Sequence, residues 1–344
     1  MHVIIVGAGP AGLSTALALH QQSKAAPSSP IRVTVIELRP GVQTLGGAIN
    51  LTPLALRYLD AIGAGARVRQ LGVKVSRIEM VSHRTGGVLG KLWEDMDAIR
   101  VSRQSVVESL LATARELPAD EVTIRYGAKI TKIDETGDPA GQGSVSVHVT
   151  DAASGETEIL ECDALIGCDG IHSFVRSQVV DPDRKKKYSG IAGAYGYIDV
   201  DGAEGVGVTK PDGSPVVQDS TLLTAKLGSL LLSFFEPSRK RLYVSAVITA
   251  EEKGNAVDGW KAMGDDKEGL KSDFQNRFSG GKLTGLGDLV KKCDEWFFFP
   301  VYMLPPGGTW AKGRVFLLGD AAHAVSCPIR ESQKACYVNV MKAR

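Results

Sequence analysis

The sequence predicts an α/β fold: a Rossmann-like domain into which a mixed β-sheet is inserted. Two observations carry this. Three short apolar runs, at Val3–Val6, Leu165–Gly167 and Val315–Leu318, each end at a glycine or a Gly/Asp pair and are followed by a helical pattern. Between the second and third lies a long stretch, from Tyr188 to about Val247, whose pattern is mostly β.

The first run decides the most. Val3-Ile4-Ile5-Val6 is β-branched and apolar, as a strand buried on both faces requires. Gly7-Ala8-Gly9-Pro10-Ala11-Gly12 follows, then the helical run Leu13–Leu19. Strand, GxGxxG and helix in that order form the context of a dinucleotide site. Gly7 permits the tight turn, Gly9 lets a pyrophosphate approach the backbone, and Gly12 lets helix and strand pack closely. The helix N-terminus adds free N–H groups and a positive dipole end. A second strand, Arg32–Ile36, ends at Glu37. A carboxylate there accepts hydrogen bonds from both ribose hydroxyls and repels a 2′-phosphate. Glu37 falls later than the usual ~20-residue spacing, and the polar stretch QQSKAAPSSP accounts for the delay as a loop.

The remaining elements follow in order. Val73 to Arg100 reads as strands with a Thr85-Gly86-Gly87 turn, and Gln104 to Leu117 as an amphipathic helix. Val122–Tyr126, Ala128–Ile133 and Ser144–Val149 read as strands, with turns at Asp138–Gly143 and Ala153–Gly155. Thr221–Phe235 and Arg241–Ile248 read as long strands, and Asn255–Phe278 as a polar helical stretch. The aromatic run Trp296–Phe299 reads first as core packing and second as pocket wall. The basic run Arg184–Lys187 reads as a solvated loop.

The second signal is Asp163–Arg176, where a strand runs into Asp169-Gly170 and a helix follows, capped by Ser173 or Asp169. The third is Gly313–His323, GRVFLLGDAAH, where Asp320 at a strand end suits a ribityl hydroxyl of FAD. With these in hand the chain resembles the class A FAD-dependent monooxygenases of the p-hydroxybenzoate and salicylate hydroxylase type. GxGxxG, DGxxSxxR and GRVxLxGDAAH agree in order and spacing. Lesser matches are Gly46–Pro53, similar to the loop beside the flavin; Arg103–Val106, similar to RxxL; and Tyr188-Ser189-Gly190, similar to YxG. The resemblance covers about residues 1–328.

It implies that Gly7, Gly9 and Gly12 hold the pyrophosphate and Glu37 the adenosine ribose. It places Ala48 in the loop beside the flavin, Arg103 against the cofactor, Asp169 near the pyrophosphate and the nicotinamide approach, and Asp320 on the ribityl chain. It implies FAD as cofactor and NADPH or NADH as a transient reductant, with no second GxGxxG to hold it. It implies O₂ and a small aromatic or polyketide-like substrate, hydroxylated or epoxidised through a C4a-hydroperoxyflavin. The domains expected are 1–72, 101–187 and 301–344 for the FAD-binding part, with 73–100 and 188–300 supplying the substrate sheet. His172 and His323 are expected as structural hydrogen-bond partners. Tyr195, in Gly193-Ala194-Tyr195-Gly196, stands where many relatives have an AWRG-like arginine. It is the candidate catalytic residue, to deprotonate or orient a phenol, against a packing role common for Tyr in strands.

After GDAAH the family pattern has proline, a glycine turn and a long helix. Here Pro328-Ile329-Arg330 leads into Glu331-Ser332, and no glycine follows Gly319. The expectation is a chain incomplete at its C-terminus, with an FAD-fold protein without turnover as the alternative. Flavin disulfide reductases lack support because no CxxxxC follows the first helix.

Composition excludes other classes. The 344 residues carry a net charge of +1 and 23% charged residues, with no basic face for nucleic acid. No stretch is long and apolar enough for a membrane span. The five cysteines are odd in number, form no CxxC and have no metal-ligand spacing, which predicts a reduced, cytoplasmic protein without a metal. No oligomeric state is signalled.

Overall fold

The computed structural model describes residues 1–42, 46–137, 143–252 and 263–325. The expectations for the Asp138–Gly143 turn, for the start of the polar helical stretch and for the segment after Val325 lie largely or wholly outside these residues.

From the N-terminus, β1 (His2–Val6) turns through the glycines into α1 (Pro10–Ala25), which returns the chain to β2 (Arg32–Ile36). β3 (Ala48–Leu51), α2 (Pro53–Ala61), α3 (Gly65–Leu71), β4 (Val73–Val75), β5 (Ile78–Ser82), β6 (Val88–Leu92), β7 (Ala98–Ser102) and α4 (Arg103–Arg115) follow. Then come β8 (Val122–Arg125), β9 (Ala128–Gly137), β10 (Gly143–Asp151), β11 (Thr157–Cys162) and β12 (Ala164–Gly167). β13 (Lys187–Asp199), β14 (Ser220–Ala225), β15 (Gly228–Phe234) and β16 (Arg241–Thr249) precede the helices Lys267–Phe278 and Leu286–Lys291. β17 (Phe297–Met303), β18 (Ala311–Lys312), β19 (Val315–Leu317) and the short helix Asp320–His323 end the described chain.

Strands β18-β19-β12-β1-β2-β8 form one sheet, parallel from β19 to β8. Alternation along β1 builds its two cores. Val3 and Ile5 pack with Leu13, Leu17, Val107 and Leu110 of α1 and α4. Ile4 and Val6 pack with Ile130, Val145 and Val147, so the antiparallel sheet β11-β10-β9 covers the other face. Because β1 lies between β12 and β2, the chain reverses direction of winding at β1. Ligands bind at such a switch point, outside the carboxyl ends of the strands.

A second sheet runs β17-β13-β16-β15-β14-β5-β6. Its inner face, with Ala192, Ala194, Leu230, Leu232, Val244 and Ala246, packs on Phe274, Phe278, Leu286 and Leu289 of the two late helices. The segment 73–100 divides between sheets: β5 and β6 join this one, while β7 pairs with β3 on one side and β4 on the other. The stretch 221–235 is a hairpin, not one long strand. β14 and β15 pair antiparallel up to Ala225 and Gly228, and the two-residue connection Lys226-Leu227 carries no Asn-Gly or Asp-Gly signal. Gly228, at φ +154°, takes the backbone angle that lets the chain reverse there.

The aromatic run also divides by strand period. Trp296 is 1% exposed and packs 4.4 Å from Phe274, and Phe298 faces the same core. Phe297 lies on the opposite face with Tyr195, and Phe299 is 45% exposed. No helix among the described residues is long and apolar enough to cross a membrane.

Candidate functional site

Four strand ends converge at one edge of the parallel sheet. β1 ends at the glycine turn, β2 at Glu37, β12 just before Asp169, and β19 just before Asp320. The fold therefore brings together Gly7, Gly9, Gly12, Glu37, Asp169 and Asp320 from segments far apart in sequence.

The glycine turn is built as its spacing implies. Gly7 has φ +103°, and a Cβ there would lie 2.6 Å from the Cys168 carbonyl oxygen. A Cβ on Gly12 would lie 1.8 Å from the Gly7 oxygen, so α1 touches the turn it follows. Gly9 differs: no atom lies within 4 Å of its Cβ position. The open space faces the start of α1, whose N-cap makes no side-chain hydrogen bond. An open cradle beneath uncapped helix N–H groups suits a pyrophosphate, so these residues fit FAD.

Glu37 is held rigidly. Its Oε2 accepts the Ala8 N–H at 2.8 Å and its Oε1 the Arg39 N–H at 2.9 Å. A carboxylate has about four acceptor positions, so capacity for hydroxyls remains. Glu37, Ala8, Gly9, Arg39, Arg103, Val107 and Tyr126 line a cavity of about 50 Å³. Arg103 heads α4, and its backbone N–H donates to the Gly47 oxygen at 3.0 Å.

Asp169 is turned inward. Its Oδ2 accepts the N–H groups of Phe174 at 2.7 Å and Val175 at 3.1 Å, capping the helical stretch that continues as a π-helix over Arg176–Val180. Ser173 Oγ caps the same stretch through the Arg176 N–H. The other carboxylate oxygen, Oδ1, is buried and has no hydrogen-bond partner among the described residues. Burial pushes the Asp169 pKa up, against the lowering effect of its hydrogen bonds. Asp320 is exposed at the start of its short helix, and Gly319 before it approaches Ala11 of α1.

Sequence reasoning missed the cations that tie these loops together. Arg176 is 4% exposed and donates to the carbonyls of Ile171 at 2.7 Å and Ala321 at 2.9 Å, linking the Asp169 and Asp320 loops. Arg184 donates to the carbonyls of Ala322 and Pro305. Lys186 donates to His172 Nδ1 at 2.7 Å and sits 4.2 Å from the Tyr302 ring centre. The basic run is thus partly a clamp, not a solvated loop; only Lys185 and Lys187 are exposed. The DGxxSxxR motif contained the signal for Arg176, whereas nothing in the charge run marked Arg184. His323 rests against Trp310, with ring centres 5.2 Å apart.

Ala48 and Tyr195 lie at a second locus, where the loop before β3 meets the inserted sheet. Strand period puts Tyr195, Tyr197, Tyr243, Phe235 and Phe297 on one face, with Ala48 packed against them. Tyr195 stacks on Phe297 at 5.0 Å, and its hydroxyl accepts the Gly46 N–H at 2.8 Å. Burial raises its pKa, so the phenol stays protonated. Gly47 leaves no room for a side chain, because its Cβ would lie 2.1 Å from the Tyr243 hydroxyl. Under β3, Arg100 is 2% exposed and donates from Nε to Asn50 Oδ1 at 2.6 Å; burial pulls its pKa down to about 10. Among the described residues no cluster of His, Cys, Asp and Glu could hold a metal.

The glycine turn, Glu37 and the aspartates at the strand ends define a dinucleotide-binding protein. Residues 1–198 match the FAD binding domain family, and the chain belongs to it. The chain is 28% identical to the phenazine 1,6-dicarboxylic acid hydroxylase PhzS of Lysobacter antibioticus over 93% of its own length and 76% of that protein's. It is 28% identical to the 3-hydroxybenzoate 6-hydroxylase of Polaromonas naphthalenivorans (93% and 72% covered) and 25% to the salicylate hydroxylase of Pseudomonas putida (94% and 71%). The fold matches that of Klebsiella pneumoniae HpxO complexed with FAD and uric acid, with a TM-score of 0.71 at 21% identity, covering 95% of this chain and 74% of that one. The protein is a class A FAD-dependent monooxygenase that uses NAD(P)H as reductant.

Proposed function

We propose that this chain hydroxylates or epoxidises a small aromatic or polyketide-like molecule bound beside the loop 46–48, at the partly exposed rim of the aromatic face of the inserted sheet. The observation that carries the reading is that face: five rings from β13, β16, β17 and the end of β15, of which Tyr197 and Phe297 are left partly exposed. Such a surface recognises a planar ring by stacking and edge contacts. The named relatives acting on phenazine dicarboxylate, hydroxybenzoate and salicylate support an aromatic substrate.

In this reading Gly7, Gly9 and Gly12 cradle the pyrophosphate and Glu37 takes the adenosine ribose. Arg103 lies along the cofactor, and Asp320 reaches the ribityl chain. Asp169 fixes the loop at the pyrophosphate by capping the helix that follows. Bound FAD supplies the hydride acceptance and the oxygen activation. The protein's own task is to orient the substrate and exclude water. Tyr195 belongs to that task as a positioning residue: its raised pKa opposes a role as base, while its O–H remains a donor toward a substrate oxygen. Among the described residues Cys162, Cys168 and Cys293 are free and buried, which supports a reduced, cytoplasmic setting.

The test is a spectrum followed by a turnover assay. After incubation with FAD and desalting, the chain should keep oxidised-flavin absorbance, and NADPH or NADH should bleach it anaerobically. Salicylate, 3-hydroxybenzoate and phenazine-1-carboxylate are then screened for stimulated NAD(P)H oxidation and a hydroxylated product. Retained flavin that no nicotinamide reduces would favour an FAD-fold protein without turnover.

A further inference from the structure

The sequence motifs assign nothing to Tyr126, yet the structure puts it in the cofactor cradle. It follows β8 directly, and backbone hydrogen bonds fix it against the end of β2. The Glu37 N–H donates to the Arg125 oxygen, the Gly127 N–H to the Arg39 oxygen, and the Ala128 N–H to the Glu37 oxygen. Tyr126 lines the cavity shared by Gly9, Glu37, Arg39 and Arg103. Its hydroxyl is buried and makes no hydrogen bond among the described residues.

A buried hydroxyl without a partner costs stability, and buried polar groups in native proteins nearly always have one. A ligand in the cavity would supply it. The carboxylate of Glu37 sits at the end of the second strand, where a dinucleotide fold takes the ribose of the adenosine half. We propose that the Tyr126 hydroxyl hydrogen-bonds the adenosine half of the cofactor and makes this chain select a flavin dinucleotide over a mononucleotide. Burial raises the Tyr126 pKa, so the group is present as a donor across the neutral range. The assignment rests on the FAD-dependent reading above and adds a determinant to it.

Tyr126→Phe removes the hydroxyl and keeps the ring, so the fold is spared. The expected result is a loss of FAD affinity of about three- to ten-fold, the worth of one neutral hydrogen bond, with FMN affinity unchanged, because FMN lacks adenosine. Both are measured by titrating apoprotein and following quenching of flavin fluorescence. The thermal midpoint of the apoprotein should not fall. Unchanged FAD affinity would overturn the assignment, as would equal weakening of FAD and FMN, which would make Tyr126 a packing residue. A wild-type chain that takes up neither flavin would overturn the FAD reading, and this inference with it. A wild type that binds FAD beside an indifferent variant would overturn the Tyr126 assignment alone.

Discussion

Tyr195 and Gly46 are 149 residues apart in sequence and joined by one hydrogen bond of 2.8 Å, from the Gly46 N–H to the Tyr195 hydroxyl oxygen. The bond ties the loop before β3 to the inserted sheet, across the line where the two parts of the molecule meet. Tyr195→Phe keeps the stack on Phe297 and removes only the hydroxyl, as acceptor from Gly46 and as donor toward the substrate. It should cost about 1 kcal/mol of stability and leave FAD bound. A looser loop admits water, so a larger share of the NAD(P)H oxidised should end as H₂O₂ rather than product. Product and peroxide are quantified in the same reaction; an unchanged ratio would return Tyr195 to packing alone.

Gly9 and Gly12 separate binding from folding. A methyl on Gly9 meets no atom within 4 Å. Gly9→Ala should therefore keep the thermal midpoint of the apoprotein and weaken FAD binding at least ten-fold. A methyl on Gly12 meets the Gly7 oxygen at 1.8 Å. Gly12→Ala should push α1 off the turn, lower the midpoint by several degrees and lose FAD as well. Calorimetry of the apoproteins beside flavin titration checks both, and a Gly9→Ala chain that binds FAD normally would argue against phosphate at that space.

The parts of the fold that were legible in the sequence are those that depend on short-range pattern. A β-branched run, a glycine turn and a helix at Val3–Leu19 announce one another, and so do the strand ends at Asp169 and Asp320. Glu37 was found because its position follows from where β2 must stop. What escaped were contacts made by sequence-distant groups. Arg184 looks like part of a solvated run, and only the fold shows the Ala322 and Pro305 carbonyls beside it. Tyr243 and Tyr126 read as ordinary strand residues, because nothing local says which face of a strand will meet a loop. The hairpin at Lys226-Leu227 was missed for a related reason, since its connection lacks the usual turn residues.

Arg176 should behave as a clamp. It is buried and donates to carbonyls on two loops, so a replacement leaves the Ile171 and Ala321 oxygens without a charged donor. Hydrogen bonds to charged groups contribute about 1.5–3 kcal/mol each. Arg176→Met should destabilise the chain by about 3 kcal/mol and speed flavin release. Arg176→Lys should rescue little, because an ammonium cannot span both oxygens with a planar fork. Urea unfolding and the rate of flavin loss on dilution report the two effects, and full rescue by lysine would show that charge alone matters.

Asp169 makes stability depend on pH in the direction opposite to a salt-bridged carboxylate. Its pKa in the folded chain is raised by burial, while in the unfolded chain it returns to the ordinary range. Between those two values the folded state binds more protons, so its stability falls as pH rises. The penalty is absent below the unfolded pKa and complete above the folded one. Asp169→Asn removes the titration and keeps an oxygen to accept the Phe174 and Val175 N–H groups. The variant should therefore gain on the wild type as pH climbs through that window, then hold a constant lead. Urea unfolding of both apoproteins from about pH 4 to pH 8 gives the difference directly. A difference that shrinks with rising pH would mean the carboxylate is stabilised as an anion after all, its Oδ1 solvated rather than buried.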